Sequence, residues 1–340
     1  GIFNRQASKT VAGRNKRRDD NFEFGTNPCS EIILRPFQFC NLSEVVVRES
    51  DQEEDLLDKV EAATILGTMQ STLTSFKYLR RQWKDTTEKE RLLGVSLTGI
   101  MDHKILSGDV YNQSILPDLL KRMKQKAVDV NKVWAKRFGI NQATAITCVK
   151  PSGTVSQLVN AASGIHARHN EHYIRRVRGD KKDPLTKFLQ SQNIPTEDCV
   201  MKPDATAVFS FVEKAPSGCI TRNRRSAIEQ LDHWLVYAKY WCEHKPSITI
   251  SVNEDEWLGV ADWCWRNFDD LSGVSFLPNF GHVYQQAPYE DIDKDMYNEL
   301  KKSQPNKINW NDLALYEQDD NTKSSQTLAC SANSCEVVDV

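Results

Sequence analysis

The sequence contains no hydrophobic run long enough to cross a membrane. Its longest apolar stretch lies around residues 205–212, whereas a membrane-spanning helix needs about 18 apolar residues or more. The first residues are polar and basic and lack the apolar core of a signal peptide. We therefore expect a cytoplasmic protein that does not associate with membranes.

The sequence also has little net charge. Its 44 Lys and Arg residues are nearly balanced by 46 Asp and Glu residues, which gives a formal net charge of -2. Long-range attraction to nucleic acid or to anionic lipid is therefore not expected, and we predict no DNA binding. Any phosphate group has to be bound by a local site.

The nine cysteines do not resemble a secreted disulfide framework, because their number is odd and they are widely scattered. We expect most of them to be reduced thiols. Cys29 and Cys40 lie close together in sequence, and the carboxylate of Glu31 lies between them. Two thiols and an acid on a loop that leads into a strand are candidates for chemistry.

Helices and strands alternate along the chain, and a length of 340 residues suggests about two units. Apolar periodicity predicts one long helix from a capping box at Ser50 and Glu53 to Leu79, and another over 116–138 that Gly139 ends. Strands are predicted at 91–100, 145–149, 206–212, 247–252 and 273–277, and further helices at 225–243, 254–267 and 289–302. The alternation predicts an α/β fold with a largely parallel sheet. Residues 5–20 have no obvious apolar period.

The last 25 or so residues are polar, small and unpatterned, and we interpret them as a mobile tail. This tail carries Cys330 and Cys335. A thiol pair that reduces a disulfide by exchange needs access, which a tail provides. Two alternatives remain open, an incidental pair and half of a zinc site, although the tail contains no histidine or second cysteine pair to complete such a site.

The stretch "TCVKPSGTVSQLV" at 147–159 places a Pro-Ser-Gly-Thr turn between an apolar strand and the start of a helix. Backbone N–H groups and hydroxyls in such a turn can bind a phosphate, and glycine permits close approach. An ordinary turn is the alternative, because no GxxxxGK[ST] or GxGxxG pattern accompanies it.

Three histidines, His166, His169 and His172, follow at three-residue spacing. On a helix this spacing drifts around the axis, and no fourth ligand is obvious, so we predict no metal site. The basic residues behind them, from Arg175 to Lys182, could add charge for a polyphosphate or form a solvated edge.

Taken together, these motifs resemble the ribonucleotide reductases, specifically the adenosylcobalamin-dependent class II enzymes of the monomeric ribonucleoside-triphosphate reductase type. The resemblance spans nearly the whole chain and depends on the order and spacing of "NPCSEI" at 27–32, "FCNLSEV" at 39–45, "KPSGTVS" at 150–156, "SGIHARHNEHYIRRVR" at 163–178, "SFLPNFGHVYQQAPYE" at 275–290 and the terminal "CSANSC".

The resemblance implies a ten-stranded α/β barrel in which a finger loop carries a cysteine that becomes a thiyl radical. Cys29 matches that cysteine, and homolysis of the cobalt–carbon bond of adenosylcobalamin would start the reaction. The thiyl would abstract the 3′ hydrogen of a ribonucleotide, Glu31 would accept the 3′ hydroxyl proton, and Asn27 would hold the ribose hydroxyls. Cys40 matches one of two cysteines that supply electrons to the substrate.

The same resemblance implies roles for the turn and the tail. The turn matches the loop that holds the substrate phosphates, and its residues are Pro151, Ser152, Gly153, Thr154, Val155 and Ser156. Cys330 and Cys335 match the pair that reduces the active-site disulfide, before thioredoxin or a similar dithiol reduces them.

The sequence departs from the family pattern in one respect. Enzymes of the family carry the cysteine that pairs with Cys40 in their N-terminal half, and this sequence does not contain it. We therefore expect a C-terminal part of the enzyme, inactive without the missing N-terminal half. Residues 1–21 would be a lead-in from the preceding part of the barrel, 22–315 the finger loop with the second half of the barrel, and 316–340 the tail. Cys148 lies in an apolar run and is interpreted as a buried strand residue, not as a substitute for the missing cysteine.

Other classes of reductase fit the sequence less well. It has no Tyr-Tyr pair, which class I enzymes use for radical transfer, and "RVRG" at 176–179 is only a mid-chain echo of the class III glycyl-radical motif. The Asp-x-His-x-x-Gly signature is also absent, so cobalamin is expected to bind without a protein histidine ligand. A catalytic fragment of another reductase class and a noncatalytic interaction module of the same fold are the alternatives.

Overall fold

A computed structural model describes residues 1–108, 114–279 and 285–317. The chain divides into two compact units, one made of Gly1–Arg168 and Pro216–Phe280 and the other of His169–Ala215 and Gly281–Val340. The length of the chain predicts about two units but does not place this boundary. No helix in the described part of the chain is both long and apolar enough to cross a membrane.

The described helices and strands are numbered in chain order. The helices are α1 (Arg5–Gly13), α2 (Glu53–Gln70), α3 (Arg81–Glu90), α4 (Leu116–Phe138), α5 (Val155–Leu158), α6 (Pro184–Ser191), α7 (Ala227–Tyr240), α8 (Trp257–Arg266) and α9 (Lys294–Ser303). The strands are β1 (Gly25–Thr26), β2 (Ile33–Leu34), β3 (Asn41–Val46), β4 (Leu93–Thr98), β5 (His172–Asp180), β6 (Thr196–Asp198), β7 (Thr206–Lys214), β8 (Thr249–Val252), β9 (Ser275–Pro278) and β10 (Tyr289–Asp291).

Helix α4 forms as predicted. Its apolar positions, including Leu119, Leu120 and Met123, are buried on one face. Gly139 ends the helix in the left-handed conformation, with φ of 67°, which glycine adopts at little cost. Both the periodicity and the cap were readable in the sequence, and both are confirmed.

The long helix predicted from Ser50 to Leu79 is wrong at both ends. Helix α2 begins after Gln52, where the Asp55 carboxylate accepts a 2.8 Å hydrogen bond from the Gln52 backbone N–H. It ends at Gln70, and a separate helix, α3, begins at Arg81. Periodicity carried the prediction through the intervening turns because Leu73, Phe76 and Leu79 continue the spacing.

The basic stretch that showed no apolar period contains a helix, α1. The side chain of Asn4 caps it by accepting hydrogen bonds from the backbone N–H groups of Gln6 and Ala7. Its buried face consists of small residues, among them Ala7 and Ser8, together with Val11. A face with so little apolar volume gives a weak periodic signal, which explains the missed prediction.

The first unit contains a succession of parallel pairings. Strand β3 pairs with β4, which is bridged at Val95 to Thr147; Val149 is bridged to Pro246, and β8 pairs with β9. The predicted parallel pairing is confirmed for β3 with β4 and for β8 with β9, but these form two separate two-stranded sheets, and β1 pairs antiparallel with β2. The part of the chain that the structure describes contains no closed barrel. Helices α2, α4 and α7 pack with these strands in one large hydrophobic core.

The second unit has a different sheet. Its four strands lie in the order β10-β5-β7-β6, and every pairing is antiparallel. The strand at 206–212 is confirmed as part of β7, but the expectation of a largely parallel sheet is wrong here. His172 begins β5, so helical spacing does not apply to the three histidines.

Candidate active site

Cys29 lies on a short turn that joins β1 to β2. These strands pair antiparallel, with Gly25 opposite Leu34. Asn27 closes the turn: its backbone carbonyl accepts from the Ser30 N–H at 2.9 Å, and its side-chain oxygen accepts from the Ile32 N–H at 3.0 Å. The side-chain NH₂ of Asn27 is not used in this contact. The turn leaves Cys29 exposed.

Residues 244–247 hold the turn from the other side. The Ser247 hydroxyl donates to the carbonyl of Cys29 at 2.6 Å, and the Lys245 backbone N–H donates to the carbonyl of Glu31 at 3.2 Å. His244 accepts from the Ile33 N–H through Nδ1 at 3.3 Å, and its Nε2 lies 2.9 Å from the carbonyl of Leu93. Burial lowers the pKa of His244 to about 3, so the ring is neutral and can both accept and donate.

Glu31 is fully buried, although it lies only two residues from the exposed Cys29. Within the described residues, neither of its carboxylate oxygens has a hydrogen-bond partner. The Lys150 amine lies 3.9 Å from Oε1, at the outer limit of an ion pair. Burying a carboxylate without donors costs free energy, and such groups are typical of sites that act on a ligand.

Cys40 immediately precedes β3 and is partly buried. The pKa of its thiol is raised to about 12, chiefly by burial and also by the Glu31 carboxylate, while the Lys150 ammonium opposes the shift. The thiol therefore keeps its proton at neutral pH. Such a group can give up a proton and electrons together, but it is a poor nucleophile.

The predicted phosphate turn lies next to the same lysine. The Ser152 hydroxyl donates to Glu44 at 3.0 Å and accepts from the Ser156 N–H at 3.0 Å, and both serines are buried. Gly153, Thr154 and Val155 are exposed between them. The buried serines fix the turn, while the exposed backbone is free to meet a ligand.

Cavities are present at both cysteines. One of about 200 Å³ is lined by residues that include Cys29, Ser30, Lys245, Ser247 and Gly273. Another of about 270 Å³ is lined by residues that include Phe39, Cys40 and Ser71. The first of these cavities is thus lined by Cys29 and the second by Cys40.

Sequence reasoning missed three polar residues of this region: Glu44, Lys150 and Lys245. Burial raises the pKa of the Glu44 carboxyl, and the Ser152 hydrogen bond and Lys150 oppose this. The available signal was a charged residue inside an apolar pattern. Lys150 directly follows the run "AITCV", and Lys245 precedes the strand "SITISV".

The remaining sequence candidates contribute less. Cys148 is fully buried, as predicted, but no strand forms at 145–149, where only Thr147 and Val149 make isolated bridges. His166 accepts from the Thr249 N–H at 3.0 Å, and His169 lies 2.9 Å from Asp291. No group of three or more His, Cys, Asp or Glu residues within the described ranges could hold a metal ion. Cys330 and Cys335 lie outside the described residues.

Comparison with known proteins identifies several similar enzymes. An adenosylcobalamin-dependent ribonucleoside-triphosphate reductase of Lactobacillus delbrueckii subsp. bulgaricus is 29% identical over 335 residues, covering 89% of this chain and 44% of that enzyme. The enzyme of the same name from Euglena gracilis is 28% identical over 307 residues, covering 88% of this chain and 40% of its own length. The chain thus spans less than half the length of these relatives. No family model matches it.

Solved structures of ribonucleotide reductases are also similar to this chain. A crystal structure of a B12-dependent class II ribonucleotide reductase superposes with a TM-score of 0.74 at 25% identity, covering 88% of this chain and 44% of that one. The class Id ribonucleotide reductase alpha subunit of Actinobacillus ureae gives a TM-score of 0.52 at 15% identity, a likeness of fold alone.

Proposed function

The chain is homologous over most of its length to adenosylcobalamin-dependent class II ribonucleotide reductases, and we propose that it supplies the radical cysteine and the general base of such a reductase. The substrate would be a ribonucleotide, most simply a ribonucleoside triphosphate, and the product its 2′-deoxy counterpart. The chain would act together with a part equivalent to the half of the relatives that it does not match, which would complete a ten-stranded barrel.

One observation carries this proposal. A fully buried carboxylate, Glu31, has no hydrogen-bond partner among the described residues and lies two residues from an exposed thiol, Cys29. A ribose 3′ hydroxyl placed between them would give Glu31 the donor that it lacks. The same hydroxyl would then lose its proton to Glu31 when Cys29 has taken the 3′ hydrogen atom.

Adenosylcobalamin fits the site in one respect, because its chemistry requires an accessible thiol and Cys29 is exposed on a cavity. When bound, this cofactor would supply the radical that removes the hydrogen atom from the Cys29 thiol. Cys29 and neighbouring cavity residues such as Ser247 would face it. No described histidine is assigned to the cobalt.

The electrons would come from Cys40. Because its pKa is raised to about 12, Cys40 carries the proton that a leaving 2′ hydroxyl needs to depart as water. Cys40 and a second thiol outside this chain would give up two electrons and form a disulfide, while the substrate gains them as a deoxyribonucleotide. Cys330 and Cys335 would reduce that disulfide by exchange, followed by thioredoxin or a similar dithiol.

The phosphates would bind at residues 151–156. The exposed backbone of Gly153, Thr154 and Val155 offers donors to an anion. The half-buried Lys150 adjoins this turn and approaches Glu31, so its charge would favour a phosphorylated ligand near the carboxylate.

The proposal is tested by joining the chain to its N-terminal counterpart and assaying deoxyribonucleotide formation. Product should form from ribonucleoside triphosphates only when adenosylcobalamin and a dithiol are both present. Parallel assays with diphosphates decide the phosphate count. The proposal would be refuted if a folded, cofactor-loaded protein formed no product from ribonucleoside triphosphates and none from diphosphates.

A further inference from the structure

Lys245 is a buried lysine that the proposed chemistry does not use. Its side chain is 1% exposed, and lysine is rarely so buried without a partner. Its amine donates a 2.8 Å hydrogen bond to the hydroxyl of Ser30 and lies 5.8 Å from the ring centroid of Phe3. Ser30 is the residue that immediately follows Cys29.

The backbone at Ser30 explains why the turn needs support. Ser30 has φ of 67°, in the left-handed region that residues with a Cβ rarely occupy. A conformation of this kind persists when surrounding contacts impose it. The Lys245 amine provides such a contact on the side chain, and the Asn27 carbonyl provides another on the backbone N–H.

Gly273, which lies two residues before β9, leaves room for the amine. A Cβ built on this glycine would overlap the Lys245 amine and lie 3.3 Å from the Ser30 hydroxyl. Gly273 has no positive φ that would require glycine. The absence of a side chain at this position therefore serves the approach of Lys245 to Ser30.

We propose that Lys245 is a positioning residue for the Cys29 turn, which acts by holding the hydroxyl of Ser30 through space that Gly273 leaves free. Together with Ser247, which binds the carbonyl of Cys29, it fixes the direction in which the thiol points. This inference rests on the proposed role of Cys29 in radical chemistry, but the geometry it describes does not depend on catalysis.

The test is hydrogen–deuterium exchange of the turn amides in the chain itself. The N–H groups of Ser30 and Ile32 donate to Asn27, so their exchange reports whether the turn stays closed. We expect Lys245→Met and Ser30→Ala each to speed this exchange about tenfold. Lys132→Met, on the exposed face of α4, is the matched control and should change nothing.

A double-mutant cycle separates positioning from a general loss of stability. If Lys245 acts through Ser30, the double variant should exchange no faster than either single variant, because both remove the same contact. Gly273→Ala should reproduce the effect with Lys245 and Ser30 both intact. The inference would be overturned if Ser30→Ala exchanged within twofold of the parent, or if the two effects multiplied in the double variant. If Lys245→Met does not fold, the result for Ser30→Ala decides alone.

Activity of the completed enzyme then distinguishes this inference from the proposed function. A positioning role predicts that Ser30→Ala lowers kcat with little change in KM. If the variants exchange faster but the completed enzyme with the native sequence makes no deoxyribonucleotide, the positioning role stands and the proposed function is refuted.

Discussion

Cys29 and Cys40 lie close in sequence but in opposite surroundings. Cys29 is exposed on a strained turn held by residues 244–247, whereas Cys40 is partly buried at the start of a strand, with its pKa raised to about 12. An exposed thiol can meet a large external partner, and a buried one is protected from it. The difference suits a radical residue that is restored in each cycle and an electron donor that is consumed.

The largest expected difference between the two thiols concerns their recovery. In the completed enzyme, replacing both Cys330 and Cys335 with Ser should leave one reduction per active site and abolish continued turnover with thioredoxin. Only Cys40 and its partner would stay oxidised, since Cys29 would regain its hydrogen atom in the proposed cycle. A small dithiol that diffuses to the disulfide should partly restore turnover.

Product should be quantified per active site in a single-turnover assay and in a thioredoxin-coupled assay. Cys199→Ser, in the second unit, serves as the control. If the double variant turned over undiminished with thioredoxin, Cys330 and Cys335 would not be the pair that reduces the active-site disulfide.

The next effect concerns the acid beside Cys29. Glu31→Gln keeps the shape of the side chain but removes the proposed base, and we expect kcat to fall by about 10² to 10⁴. The exposed Glu49→Gln is the control. Steady-state assays across pH should decide this, and an activity within threefold of the parent would mean that Glu31 is not the base.

Alkylation rates measure the difference in reactivity between Cys29 and Cys40 directly, and this measurement does not require an active enzyme. At pH 8, iodoacetamide should label Cys29 at least about 100-fold faster than Cys40, because a thiol with a pKa of about 12 is almost entirely protonated and is partly buried. Labelling of Cys40 should rise about tenfold per pH unit until that pKa is approached. Peptide mass spectrometry gives both rates, and equal rates would contradict the contrast.

The smallest effect concerns Lys245 beneath the Cys29 turn. Its pKa is lowered to about 7, chiefly by burial, although Glu31 and Cys242 oppose the shift. Between pH 7 and the ordinary lysine pKa of 10.5 the unfolded chain binds more protons than the folded one, so this group adds stability as pH rises. Lys245→Met lacks this dependence.

Denaturant unfolding at several pH values should reveal that loss. The free energy of unfolding of the parent should gain about 2 kcal/mol relative to Lys245→Met between pH 7 and pH 9. A constant difference across this range would indicate that the lysine titrates normally.

The sequence predicted regular elements better than their arrangement. Helix α4 and its Gly139 cap followed from periodicity and a glycine, which are local signals. Helix α1 was not predicted because its buried face consists of small residues. The antiparallel sheet of the second unit was not predicted because the direction of strand pairing depends on residues that are distant in sequence.

The same limit applies to the site. Cys29, Glu31 and Cys40 were named from a motif, but the burial of Glu31 and the contact of Lys245 with Ser30, 215 positions apart, depend on the folded chain. Contacts over such separations leave no periodic trace in one sequence. They therefore had to come from the structure.

In the proposed function, Cys29 is the thiol that exchanges hydrogen with the cofactor. The measurement is hydrogen exchange between adenosylcobalamin and solvent in the completed enzyme, compared for the parent and Cys29→Ser. We predict exchange in the parent and none above background in the variant, with Cys199→Ser unchanged. Exchange retained in a folded Cys29→Ser protein would contradict the account, because the radical would then reside elsewhere.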